Sequence, residues 1–192
     1  MWFSQNFQKI SEDRKPFRFW MNPGDAKDIV FVDDRAFSFK EHQVKLNGKW
    51  NNFFTCTAPM GEKCPLCEAK QPLYLVTMFT VIDTSEYTSS NGKVYKNTRK
   101  LLAVKPAIAT VLQRKKKAQN ESLVGCKFTV FRPTEKDSSA GSDFEFQSKI
   151  DLAEYGNPQP FDYEQIFAPL TRRELLDVMG VPQIDQSEKM PF

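Results

Sequence analysis

The segment Cys64-Pro65-Leu66-Cys67 sets two thiols three positions apart, a spacing that lets both sulfurs grip one metal ion. Cys56 lies eight positions upstream of Cys64, and thirteen residues separate it from the only histidine of the chain, His42. Together they form a Cys3His set, enough to close a tetrahedral Zn²⁺. A metal with four protein ligands has no open position, so it shapes a surface and catalyses nothing. The intervening loop contains Pro59 and Gly61, which suit a tight knuckle. Two other readings compete. The cysteines could be unrelated reduced thiols of a core, or C-P-x-C could serve thiol–disulfide exchange. The exchange motif needs a long helix after it, and here only Glu68-Ala69-Lys70 separates Cys67 from Gln71-Pro72. The fourth cysteine, Cys126, sits in the alternating stretch Leu123–Phe131 and reads as a buried structural thiol, with replacement of His42 as fourth ligand left open.

The elements that must position these ligands follow from periodicity and turn chemistry. Residues 1–15 read as an arm in which Phe3, Phe7 and Ile10 fall on one helical face. Short strands are expected over Pro16–Trp20 and Lys27–Asp33, and a longer one over Ala36–Val44, which carries His42. Asp33-Asp34 reads as a solvated turn pair. Asn47-Gly48 predicts a hairpin that returns through Trp50–Cys56. Leu73–Asp83, apolar and β-branched, predicts a central strand; a long hairpin loop over 84–95 leads to its partner, Lys96–Lys105. Pro106 opens a helix closed by Arg114-Lys115-Lys116-Lys117. Strands over Leu123–Arg132 and Asp143–Ile150 follow, then an irregular acidic-aromatic stretch to 170. Thr171-Arg172-Arg173-Glu174 is a capping box before a short helix to about Met179. Strands, one helix, then two strands is the order of an OB-fold, a Greek-key barrel with its helix between the third and fourth strands. The expected organisation is an N-terminal arm over 1–15, an OB-fold domain over 16–170 with a zinc-loop insertion at 42–70, and a short helix and tail over 171–192.

The formal net charge of +3 conceals a polarised chain. Residues 1–132 carry a net +10 and residues 133–192 a net −7. A basic body can hold a polyanion by releasing counterions. There are 17 Phe, 5 Tyr and 3 Trp, more than a core of this size requires, and the surplus lies among basic residues. Lys49, Trp50 and Phe53 form one such group; Tyr87, Tyr95, Lys96, Arg99 and Lys100 form another. Cations on phosphates and aromatic faces on bases give single-strand binding with little sequence preference, the alternative for each ring being core packing. Enzyme readings find little support. The single histidine is claimed by the metal set, and neither a phosphate loop nor a magnesium-type acidic cluster stands out. The longest apolar stretch, Leu73–Ile82, is too short for a bilayer, no signal peptide is evident, and four cysteines make no disulfide framework. The expectation is a soluble intracellular protein.

Phe19-Trp20-Met21-Asn22-Pro23-Gly24, His42, Leu46-Asn47-Gly48-Lys49-Trp50, Phe54-Thr55-Cys56, Cys64-Pro65-Leu66-Cys67 and Val94-Tyr95-Lys96-Asn97 resemble single-stranded DNA-binding proteins of tailed bacteriophages over roughly residues 16–170. That resemblance implies an OB-fold, protection of single-stranded DNA in replication, recombination and repair, self-association on DNA, contacts with replication and recombination proteins of phage or host, and residence in the cytoplasm of an infected bacterium. The competing function is a zinc-containing transcription or RNA-binding regulator. A protein-interaction scaffold is a third. The end of the chain, Asp185–Phe192, looks like the Pro-Phe tip through which bacterial single-strand binding proteins dock onto partner enzymes, which makes Phe192 the partner-binding candidate; Lys189 departs from that pattern. Deleting residues 181–192 is expected to tighten single-strand binding slightly at low salt, where exposed charges act over longer range. The same deletion should weaken a partner contact through Phe192, and pull-down against replication proteins reads the second effect.

Overall fold

Among the described residues, alternating and continuous apolar runs underlie most of the nine strands, and proline and glycine punctuate them. The computed structural model describes residues 16–180. The arm over 1–15 and the tail with Phe192 lie outside the described residues. In chain order the elements are β1 (Ala26–Phe31), β2 (Phe37–Leu46), β3 (Lys49–Thr55), α1 (Pro65–Glu68), β4 (Leu73–Asp83), β5 (Tyr87–Thr88), β6 (Val94–Tyr95), β7 (Thr98–Val104), α2 (Pro106–Ala118), β8 (Cys126–Phe131), β9 (Asp143–Lys149), α3 (Tyr163–Ile166) and α4 (Arg172–Val178). Seven strands make one antiparallel sheet, ordered β3-β2-β4-β1-β8-β9 with β7 on β4; β5 and β6 pair separately. The protein is mainly β. Among the described residues the sheet is open, and the barrel closure expected from the strand order is not seen.

The chain divides into two compact units. One holds Lys40–Tyr74 and the described residues from Phe167 onward; the other holds the described residues up to Phe39 together with Leu75–Ile166. In the second unit, β4 pairs with β7 over seven residues and with β1 over three, and β1 pairs with β8 over five. Phe31 meets Phe79 and Phe128 edge to face, with ring centroids 5.7 and 5.6 Å apart, among Leu102, Val104, Leu112 and Phe144. Pro106 starts α2 where its missing N–H costs nothing, and Leu112 is the residue that helix buries.

The edge of β7 that does not face β4 carries one short contact. Here Phe19 N–H donates to Leu101 O at 2.8 Å and Leu101 N–H to Phe17 O at 2.9 Å, a parallel bridge centred on Arg18. The strand expected over Pro16–Trp20 is thus reduced to one bridge, and Phe19 and Met21 enter the core from it.

From Val76 to Asp83, β4 is buried on both faces. Phe79 and Val81 face the aromatic core, while Ile82 joins Val30 and Val32 in a second cluster packed by Ile150, Leu152 and Tyr155. Residues 150–163, which composition marks as irregular, therefore act as a strap across the outer face of β1 and β4. Its anchor is polar. Tyr163 Oη donates to Asp33 Oδ2 at 2.6 Å and lies 2.7 Å from Thr80 Oγ1, which accepts from Phe161 N–H at 3.0 Å. Asp33 is therefore not a solvated turn residue: it is buried, although a partner 130 positions away makes that invisible in its neighbours. Burial pushes its carboxyl upward, and the hydrogen bonds from Tyr163 and Thr80 only partly offset this. Burial and the adjacent Asp33 also raise Tyr163, which keeps its proton and remains the donor.

Tyr163→Phe removes that donor and leaves a buried carboxylate short of a partner, so a loss of about 1–3 kcal/mol is expected. Because Asp33 titrates above its unfolded value of 3.8, the strain of its ionised form is absent below that value and grows as pH rises through its folded pKa. The deficit of Tyr163→Phe should grow over the same window, which chemical denaturation at a series of pH values measures.

Candidate metal centre

His42 and Cys56 reach the site through a hairpin. Asn47 and Gly48 both take positive φ, 49° and 79°, as the predicted two-residue turn demands, and this sets His42 opposite Phe54 in the β2–β3 register. Cys56 continues that ladder by donating its N–H to Lys40 O at 2.9 Å. The chain then turns through a 3₁₀ segment, Ala58–Met60, ended by Gly61 at φ 83°. Cys64 caps α1, whose four residues carry Cys67. A helix this short fits a metal knuckle and lacks the length the redox motif needs.

The four candidate ligand atoms all lie within 4.8 Å of one another. His42 Nε2 is 3.3 Å from Cys67 Sγ and 3.6 Å from Cys64 Sγ, and Cys56 Sγ is 3.5 Å from Cys67 Sγ. Tetrahedral zinc with ~2.3 Å sulfur bonds separates its sulfurs by about 3.8 Å, close to this arrangement. The sulfurs are far beyond the ~2.05 Å of a disulfide, and all four cysteines are free. His42 is fully buried and its Nδ1 lies 3.2 Å from Gln71 O. Donation from Nδ1 to that carbonyl leaves the Nε2 lone pair facing the sulfurs, the usual outer-shell support of a ligating imidazole.

The sulfurs are unequal. Burial by itself raises the Cys64 thiol, but N–H groups of Cys67, Thr57 and Leu66 hydrogen-bond to it and bring it down to about 6. Burial, Cys56 and the Cys64 charge push Cys67 up to about 12. Crowded thiolates repel, and a divalent cation between them removes the conflict. The donor set therefore suits a thiophilic metal. Cys126 takes no part: it lies buried in the core of the other unit, 3.5 Å from Ser122 O.

The expected nucleic-acid residues fall into two groups. Lys49 and Trp50 are exposed on β3, Phe53 is half-buried, and Lys45 Nζ lies 6.0 Å from the Trp50 ring. In the other unit Tyr87 opposes Tyr95 across β5–β6 with ring centroids 6.4 Å apart, and both are exposed. Lys93 Nζ sits 5.0 Å from the Tyr95 ring, and Lys96 is exposed beside it. Lys93 was not among the expected residues, although it stands two positions before Tyr95, the strand spacing for a shared face. Arg99 and Lys100 have partners within their unit. Arg99 donates to Gln159 O at 2.5 Å and lies 4.1 Å over the Phe161 ring. Lys100 pairs with buried Asp83 at 2.7 Å. Burial would raise Asp83, but Lys100 and Ser85 more than offset it and hold it below the usual carboxylate range. No signal near Arg99 in the sequence points to Phe161.

No protein-family model and no curated protein matches the chain. No helix among the described residues is long and apolar enough to cross a membrane, which says nothing of membrane β-barrels.

One metal ion per chain is expected by elemental analysis, and none in a Cys64→Ser, Cys67→Ser double variant. Affinity should fall as pH is lowered, because protons compete for the sulfurs. Competition titration against a chelator at several pH values checks the sign.

Proposed function

We propose that the protein is a non-enzymatic binder of single-stranded DNA whose Zn²⁺, held by His42, Cys56, Cys64 and Cys67, is structural. The observation that carries this reading is the exposed pair Tyr87 and Tyr95 beside Lys93 and Lys96: two aromatic faces in reach of bases, with cations for the phosphates. Trp50, with Lys45 and Lys49, repeats the pairing of ring and cation on β3. The order β1, β4, β7, α2, β8, β9 supports an OB-type sheet, because three strands, a helix and two strands is the chain order of that fold. On this reading the protein coats single strands during phage replication, recombination and repair in the host cytoplasm, self-associates on DNA, and meets replication proteins through Phe192. Zinc rather than another metal is supported by a ligand set of three thiolates and one imidazole.

Arg99 and Lys100 would reach a phosphate only by giving up Phe161 and Asp83. Their contribution should therefore be smaller than that of Lys96. Lys100→Ala should also destabilise the fold, by about 1–3 kcal/mol, by leaving buried Asp83 without its cation.

Titration with labelled single-stranded DNA, single-stranded RNA and duplex at two salt concentrations tests the proposal. Single-strand affinity should drop steeply with salt. Tyr95→Ala should cost about 1–3 kcal/mol of binding, and Lys96→Ala should flatten the salt slope by about one unit. Preference for duplex sinks the proposal, and tight preference for RNA moves it to the regulator reading.

A further inference from the structure

The seven-residue helix α4 is too short to be stable by itself, so its order comes from what it packs on. Thr171 and Glu174 cap its start: Thr171 N–H and Oγ1 reach Glu174 Oε2 at 2.7 and 2.8 Å. One turn later Leu175 is completely buried in a cluster with Cys56, Cys64, Leu66 and Val44, with Leu170 and Met179 packed against it. Two of those five buried residues are metal-ligand candidates. The next contact is more specific. Arg172 Nη1 donates to Lys63 O at 2.7 Å, and its Nη1 and Nη2 hold Glu68 Oε1 and Oε2 at 3.2 and 2.8 Å. Lys63 immediately precedes Cys64, and Glu68 immediately follows Cys67. One guanidinium therefore ties together the two ends of the Cys64–Cys67 knuckle, while Leu175, three positions on and on the same helical face, covers its apolar side.

We propose that α4 is a metal-dependent latch: it docks on the closed knuckle, so metal occupancy and the docking of residues 170–179 strengthen each other. The exposed Arg172–Glu68 pair adds little by charge alone. Its value lies in geometry, because a planar fork spans a carbonyl and a carboxylate together only while α1 keeps its shape. Without metal the four ligand atoms lose the charge that holds them together, the ends of the knuckle part, and both Arg172 and Leu175 lose their seats. By linkage, whatever undocks α4 must weaken the metal by the same factor.

This inference rests on the metal centre proposed above. The test uses full-length protein loaded with Zn²⁺ and followed by hydrogen exchange before and after chelation, with zinc affinity measured by competition with a colorimetric chelator. Amides of 172–179 should lose their protection on chelation while those of β7–β9 keep theirs. Leu175→Ala and Arg172→Ala should each weaken zinc by about tenfold, the scale of outer-shell changes, and Arg172→Lys should not restore it. Zinc that binds and leaves with no change in exchange over 172–179 overturns the latch alone, as does unchanged zinc affinity in both alanine variants. Failure of the protein to bind zinc at all overturns the metal centre and the latch with it.

Discussion

Four ligand atoms gathered within 4.8 Å join the β2–β3 hairpin to the Cys64–Cys67 knuckle in the unit built on Lys40–Tyr74. Among its described residues a buried apolar cluster holds five residues, two of them cysteines, with Leu46, Phe54, Leu170 and Met179 packed against it. Ordering a knuckle, a hairpin and a short helix around it costs conformational entropy. A bound metal can supply on the order of 10 kcal/mol to such a site, enough to change which state the chain adopts. The local geometry is consistent with that dependence. Each ligand is brought in by a feature with no slack, namely the Asn47-Gly48 turn, the Gly61 reversal and the four-residue helix after Cys64.

The other unit solves the opposite problem. It has aromatic bulk to spare and uses it on both faces of β4. The inner face is packed by phenylalanines at edge-to-face angles, and the outer face is closed by the strap with Asp33, Thr80 and Tyr163 at its anchor. A buried carboxylate in such a place costs stability unless its donors are exact in position. The network fixes one register of the strap against β4, since a shift by one residue would leave Asp33 without Tyr163.

What the sequence makes legible depends on distance along the chain. The hairpin at 47–48, the proline that opens α2, the capping box at Thr171 and the Cys3His set all depend on residues close together or of rare type, and each is found where its pattern puts it. The associations that pattern cannot reveal are long-range. Tyr163 on Asp33, Phe161 under Arg99, Arg172 around the knuckle and Phe17–Phe19 along β7 join residues that nothing in their neighbours marks as partners. Charge counting fails for the same reason. Arg99 and Lys100 look like surface cations until the residues that occupy them are placed, whereas Tyr87, Tyr95 and Trp50 stand exposed as their loop and edge positions suggest.

The bridge between Arg18 and Leu101 also orders events in time. Phe19 ends up buried against a strand that the ribosome makes more than eighty residues later. At ~5–20 residues per second, that strand emerges roughly 4–16 s after its partner. For that interval the nascent chain carries an aromatic segment whose native partner strand has not yet been made.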